Sequence, residues 1–196
     1  MKRRNCIPAA FAVFLVVASP SPSANAGQGR PSALVQAFQS DVLEVMKQGK
    51  ELGLPGRYAR LAPMIERSFH LKLMIATSSR PYWHKATPEQ RRRLVEAYKR
   101  MSGSILATYF DDYDGEIFEI VREREGPQRT VLVDTRVMKP NDDPVNISYV
   151  LIRLDERWWI IDVIVGGGIS EVAVRRSEYQ KLLAEGGIER LIAALD

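Results

Sequence analysis

Cysteine is almost missing: the 196 residues contain one, Cys6, close to the chain start. Residues 1–26 read as an export leader removed after Ala26, and without them no cysteine remains. Disulfides, thiolate metal sites and cysteine nucleophiles are then excluded, and stability must come from packing. Histidine is equally scarce. His70 and His84 are the only two, and neither has a partner at metal-ligand spacing, so zinc is not expected. No Gly-x-Ser-x-Gly elbow, phosphate loop or Gly-x-Gly-x-x-Gly fingerprint stands where its chemistry would need it. Charge of one sign is also lacking. The chain has 28 Lys+Arg against 24 Asp+Glu, but Lys2, Arg3 and Arg4 belong to the leader, leaving 25 against 24. A nucleic-acid partner is not expected from a balance of +1, and Arg91-Arg92-Arg93, beside Glu89 and Glu96, reads as a solvated helix face.

The leader is tripartite. A basic start is followed by an apolar run over residues 6–18, short of the roughly 20 residues that span a bilayer. A Ser-Pro breaker then leads to Ala24-Asn25-Ala26, with small residues at both positions a signal peptidase inspects. The expectation is an exported protein, and about 170 remaining residues suffice for one domain, 27–196, with a sizeable core.

Helices come first. Leu34, Phe38, Val42, Val45 and Met46 recur at helical spacing over 31–52, with Gly53 as a stop. A second helical region over 57–77, interrupted or restarted at Pro63, carries the wide apolar stripe Leu61, Met64, Ile65, Phe69, Leu73 and Met74. Thr87-Pro88-Glu89-Gln90 is a capping box with proline in the first turn. It starts a long helix that turns Leu94, Tyr98, Met101, Ile105 and Tyr109 inward and ends near Gly115. From Glu116 the period changes to two, predicting strands over 116–124, 129–138, 146–154 and 157–165 joined by hairpin-length turns. Two short helices, 172–184 and 187–195, split at Gly186-Gly187, close the chain. The expected fold class is α+β, with helices on one face of a curved four-stranded antiparallel meander.

Both faces of the last two strands are apolar. Val150, Ile152 and Leu154 alternate with Ile147, Tyr149 and Leu151, while Trp158, Ile160 and Ile164 alternate with Trp159, Ile161 and Val163. Either the second face is covered as well or the domain encloses a cavity. Asp162 interrupts an apolar strand, where a carboxylate must be paired or take a raised pKa; pairing with Arg175 or Arg176 is one reading and a general base in a pocket another. Gly166-Gly167-Gly168 is read as a tight strand-to-helix connection, with anion contact by its amides as the alternative. The acidic run Asp111-Asp112-Tyr113-Asp114-Gly115-Glu116 lacks the alternate-oxygen spacing of a calcium loop and reads as a helix end.

Several segments together resemble a known family: Trp158-Trp-Ile-Ile-Asp-Val-Ile-Val, Gly168-Ile-Ser-Glu, Val174-Arg-Arg-Ser-Glu-Tyr, Gly187-Ile-Glu-Arg-Leu-Ile-Ala-Ala-Leu and, upstream, Pro81-Tyr-Trp-His-Lys-Ala-Thr-Pro-Glu-Gln. They are similar to the MlaC, or toluene-tolerance, family of periplasmic phospholipid-binding proteins, and within it to the hopanoid-associated HpnM branch. The resemblance implies a deep apolar pocket between sheet and helices, no catalytic residue and no cofactor. It also implies a lipid ligand, phospholipid or hopanoid, carried across the periplasm between membrane-bound transporter components at the inner and outer membranes. Expected tail contacts are Leu61, Met64, Ile65, Phe69, Leu73, Met101, Ile105, Tyr109, Val150, Ile152, Trp158, Ile160 and Val172. Expected mouth residues are Tyr82, Trp83, Arg175, Arg176 and Tyr179. Two other readings compete: a non-catalytic adaptor of a lipid-transport or hopanoid system, and a small cone-fold isomerase or hydratase with Asp162 as base.

Overall fold

Helix α1 (Pro31–Lys47) starts on a proline that fits the first turn, and its apolar stripe buries Leu34, Val35, Phe38, Val42, Val45 and Met46. The structure, a computed structural model, describes residues 29–140 and 142–196. The expected leader and its cleavage point lie outside the described residues. No side chain before α1 caps it; instead the Glu123 carboxylate, reaching from the sheet, accepts the Ser32 amide at 2.9 Å.

The first helix ends at Lys47 rather than at 52. Helix α2 (Gly49–Ser68) follows at once and kinks at Gly53, whose φ is 57°. The break lies near Gly49 because there the chain abuts the loop after a later helix: a Cβ on Gly49 would stand 2.2 Å from the Asp111 carbonyl oxygen. Arg57 fastens the same joint, donating to the Gly49 carbonyl and to the Ala107 carbonyl, both at 2.7 Å. Amphipathic spacing runs on through such a bend, so periodicity alone misplaces it. The next interruption falls at Phe69-His70 and not at Pro63. There the chain leaves the helix to pair with the sheet, Phe69 bridging Ile160 and the His70 amide donating to the Ile160 carbonyl at 2.8 Å. The His70 side chain is structural as well, its Nδ1 accepting the Leu73 amide at 3.1 Å and capping α3 (Leu71–Ser78).

Helix α4 (Tyr82–Lys85) leads into α5 (Pro88–Tyr109), and the expected capping box forms, Thr87 and Gln90 bonding each other's backbone. Helix α5 stops at Tyr109, short of Gly115; the acidic run forms the loop into the sheet, and Gly115, with φ 89°, belongs to that loop.

The meander comprises β1 (Ile117–Glu125), β2 (Thr130–Met138), β3 (Val145–Leu154) and β4 (Arg157–Val165), antiparallel and in chain order. The count of four strands is corrected to five: β5 (Ile169–Ser170) pairs with the edge of β4, Ile164 opposite Ser170. Two residues carry no period, so no pattern announces such a strand. Helix α6 (Glu171–Leu195) closes the chain and bends at Gly186-Gly187, where two helices were expected.

Two bulges decide which side chains face the helices. In the β3–β4 pair Val150 is opposite Asp162 while Leu151 is opposite Ile160, so Ile161 is the inserted residue and the side-chain alternation of β4 reverses across it. Trp158, Ile160 and Val163 therefore share the inner face with Tyr149 and Leu151, whereas Asp162 and Ile164 turn outward with Val150 and Ser148. A second bulge at Val121 puts Phe118 and Ile120 inside and Arg122 outside. The core lies between this inner face and the helices, with Leu61, Ile75, Leu94, Leu151, Ile160 and Leu191 fully buried. Among the described residues no helix is long and apolar enough to cross a membrane.

Candidate functional site

A cleft of about 340 Å³ opens beside the C-terminal ends of α1 and α5 and reaches the inner face of the sheet. Its walls are Met46 of α1, Phe110 after α5, Phe118 of β1, Val137 of β2 and Ile147 of β3, with Tyr149 among the innermost and Tyr109 at the rim. These walls are apolar because three strands contribute the inner half of their alternation. The rim is polar, formed by Asp111, Asp112, Asp114, Glu116 and Lys139.

Glu116 is the most buried rim group, only 4% exposed. Burial pushes its carboxyl up, but the Asp114 amide at 2.7 Å and the Lys139 ammonium at 3.0 Å outweigh that and hold it below the ordinary glutamate value. Lys50 reaches Asp112 at 2.8 Å. The rim thus presents fixed charges of both signs around an apolar throat. Among the described residues, no group of three or more His, Cys, Asp and Glu side chains is arranged to hold a metal ion.

Behind the cleft lies a polar seam between α1 and the sheet. Gln39, buried, donates from Nε2 to Thr135 Oγ1 at 3.2 Å and, at the long limit, to Tyr149 Oη at 3.5 Å. Thr135 donates onward to the Ile147 carbonyl at 3.0 Å. Burial pushes the Tyr149 hydroxyl up to about 12, against the Gln39 hydrogen bond, so it stays a neutral hydrogen-bonding group at any ordinary pH. From Tyr149 the aromatic contacts continue inward, Phe38 lying 6.3 Å from it and 5.0 Å from Phe69, both edge to face.

Of the residues expected to touch lipid tails, Tyr109 stands at the cleft, 77% exposed on its rim. Leu61, Ile65, Phe69 and Ile160 are buried in the core behind it, and Met64, Met101, Trp158 and Val172 pack half-buried against that core. Leu73 and Ile105 are half-buried on α3 and α5. Val150 and Ile152 lie on the outer face of the sheet, away from the cleft. The expected mouth residues do not line the cleft. Tyr82 and Trp83 are on α4, Trp83 buried with Arg91 over its ring at 5.6 Å. Tyr179 is buried on α6 against Met101, while Arg176 is exposed.

Among the described residues, Asp162 pairs with no arginine. Its Oδ1 accepts the amides of Val163 at 2.8 Å and Val172 at 3.0 Å, and its Oδ2 accepts the Ser170 hydroxyl. Arg175 instead bridges Glu171 at 2.7 Å and Glu178 at 2.8 Å. The outward turn after the bulge brings Asp162 to the start of α6, where a carboxylate satisfies amides that no helical carbonyl can reach. Reasoning from the sequence missed Phe110, Glu116, Phe118, Val137, Lys139 and Ile147 as cleft residues. A signal existed for Ile147 and Tyr149, which alternate with Val150 and Ile152, but period two does not say which face is inward.

The geometry is an apolar cleft with charged groups of both signs at its rim. In line with it, the family described as MlaC protein matches residues 36–196. Among solved structures, the phospholipid-binding protein of Ralstonia solanacearum, determined in complex with a phospholipid, superposes with a TM-score of 0.75 at 20% sequence identity, over 86% of this chain and 96% of that one. That likeness establishes the shared fold, and the match over residues 36–196 places the chain in the MlaC protein family.

Proposed function

We propose that this protein is a non-catalytic periplasmic lipid carrier, made with a cleaved leader, that shuttles a phospholipid or a hopanoid between membrane-bound transport components at the inner and outer membranes. The observation that carries this reading is the apolar cleft, lined from three strands and two helix ends and ringed by Glu116, Lys139 and the Asp111, Asp112 and Asp114 carboxylates. A head group with separated charges would meet matching charges at that rim, while a tail would enter between Phe118 and Ile147. Transfer of a long tail from water is worth on the order of 10 kcal/mol at ~0.8 kcal/mol per CH₂. Binding on that scale needs no covalent chemistry. The relative solved with a phospholipid bound supports lipid as the ligand class. The HpnM-like wording of Gly168-Ile-Ser-Glu and Arg175-Arg-Ser-Glu-Tyr supports a polycyclic lipid as a second cargo.

The cleft lies near the lower end of the roughly 300–1,000 Å³ range of ligand pockets. A two-tailed lipid therefore requires the interior to widen, and the Gln39 seam between α1 and the sheet is where it would part. Tails that penetrate further would follow Tyr149, Phe38 and Phe69 to Leu61, Ile65 and Ile160. The test is to purify the protein from a periplasm containing phospholipids and hopanoids and to identify bound species by native mass spectrometry. Stoichiometric lipid that is lost in Ile147→Trp, with unchanged circular dichroism, supports the carrier. Protein that is empty, and takes up neither lipid from liposomes, overturns it and favours the adaptor.

A further inference from the structure

A larger cleft, of about 490 Å³, lies on the opposite side of the sheet from the proposed lipid throat. Its floor is the outer face of β1, β2 and β3, and its basic groups are Arg122, Arg124 and Arg136. One carboxylate organises two of them. Asp134, whose side chain is 15% exposed, accepts Arg122 Nε at 2.8 Å, Arg124 Nε at 2.9 Å and the Ser148 hydroxyl at 2.6 Å. The Asp134 charge is thereby neutralised, and the two guanidiniums are fixed in direction with terminal N–H groups to spare. Arg136, next along β2 on the same face, makes no ion pair among the described residues. Glu119 faces it across the β1–β2 pair but does not bridge to it.

The fourth wall is backbone. Gly167 and Gly168 line the cleft with φ of 85° and 147°, and a Cβ added at either would meet nothing within 4 Å. A glycine turn leaves its amides open to a ligand in a way no other residue would. The N-terminus of α6 is not available for this purpose, since Asp162 already occupies it. The cleft thus gathers three guanidiniums, one neutralising carboxylate, hydroxyl and amide side chains from Ser148 and Asn146, and bare backbone. This is the donor set that suits a tetrahedral oxyanion.

We propose that the outer-face cleft is a second ligand site, for a phosphate-type oxyanion, in which Arg136 is the recognising cation and Arg122 and Arg124, held by Asp134, form the positive wall. It does not depend on the lipid-carrier reading, because it uses none of the throat residues. The phosphate has two sources, a soluble ion or the head group of an anionic bilayer, and the experiment separates them.

Inorganic phosphate is titrated into the full protein at fixed ionic strength, reading backbone amide and arginine Nε–H signals by NMR. Sedimentation with vesicles of pure phosphatidylcholine or of phosphatidylcholine mixed with phosphatidylglycerol forms the second arm. Saturable shifts at Gly167, Gly168, Ser148 and Arg136, weakened about tenfold or more in Arg136→Gln as expected for a lost charge-assisted pair, support the site. Lys181→Gln, which removes an equal charge from α6, should leave them unchanged. Binding to phosphatidylglycerol vesicles that Arg136→Gln abolishes names the head group as the source; phosphate binding with no vesicle preference names the soluble ion. Wild-type shifts that fail to saturate, or that Lys181→Gln weakens as much as Arg136→Gln, overturn the proposal.

Discussion

The two faces of this sheet are built from one alternating sequence and have opposite physical characters. The inner face presents Val133, Tyr149, Leu151 and Ile160, all buried under helices, and opens into an apolar throat at one end. The outer face mixes half-buried Val150, Ile152 and Ile164 with Arg122, Arg124, Asp134, Arg136 and Ser148. Yet β3 and β4, taken by themselves, read as apolar on both sides. The difference teaches that in β3 and β4 side-chain hydrophobicity did not assign the faces; the helices did, together with the bulge at Ile161 that sends Asp162 and Ile164 outward. A strand greasy on both sides is tolerated here because its outward apolar residues stay half-buried among neighbouring strands, and exposed apolar surface of this modest kind is ordinary.

The contrast is sharpest where the inner face is cut. Leu151→Ala, at a side chain that is 0% exposed, should lower stability by about 2–5 kcal/mol in urea melts, while Ile152→Thr next to it should cost under about 1 kcal/mol. Equal losses would show the outer face to be covered in solution. On the outer face the largest effect belongs to charge. Burial works against the Asp134 carboxylate, but hydrogen bonds from Arg124, Ser148 and Arg122 prevail and hold its pKa far below the ordinary value. A depressed carboxyl contributes stability that is present above about pH 4, its unfolded range, and lost as pH falls through the folded pKa. Asp134→Asn should therefore cost about 1–3 kcal/mol at pH 7, and the gap from wild type should narrow steadily below about pH 4. A gap independent of pH would mean that packing, not the carboxylate, matters there.

Asp162→Asn should cost a smaller ~0.5–2 kcal/mol, the worth of a carboxylate at a helix start, and should weaken hydrogen-exchange protection in the first turn of α6. Loss of a turnover, with stability intact, would revive the enzyme reading. The smallest change in stability is expected at the polar seam. Gln39→Leu alone strands the buried Tyr149 hydroxyl, but with Tyr149→Phe added only Thr135 loses a partner, and its hydroxyl keeps the bond to the Ile147 carbonyl, so the double variant should be close to neutral. If α1 must part from the sheet to admit a second tail, the double variant should still carry less co-purifying lipid, because an apolar interface opens less readily than a polar one. Full lipid content in it would place the opening elsewhere.

Much of this molecule was legible from spacing. The capping box at Thr87, the order of helices before sheet, four of the five strands and the split of the last helix follow from local patterns that tertiary contacts only confirm. Helix ends were less legible. α1 stops at Lys47 because Gly49 meets the Asp111 backbone, and α2 stops at Ser68 because Ile160 takes the next hydrogen bond; both partners are distant in the chain. The site was less legible again. Phe118, Val137 and Ile147 come from three strands, and nothing local marks them as neighbours. Asp162 was singled out correctly as a carboxylate needing partners, but those partners are amides and a hydroxyl brought to it by a bulge and a two-residue strand.

The sequence by itself determined the periods, caps and turns, and through them the α+β class and the meander, because these depend on interactions within a few residues. It also carried enough wording to point to the MlaC family. Only the tertiary structure decided which face of the sheet is inward, where the throat opens and which charges stand around it. Those outcomes depend on one inserted residue in β4 and on contacts between segments far apart in the chain, and an alternating strand is equally consistent with either face until something packs against it.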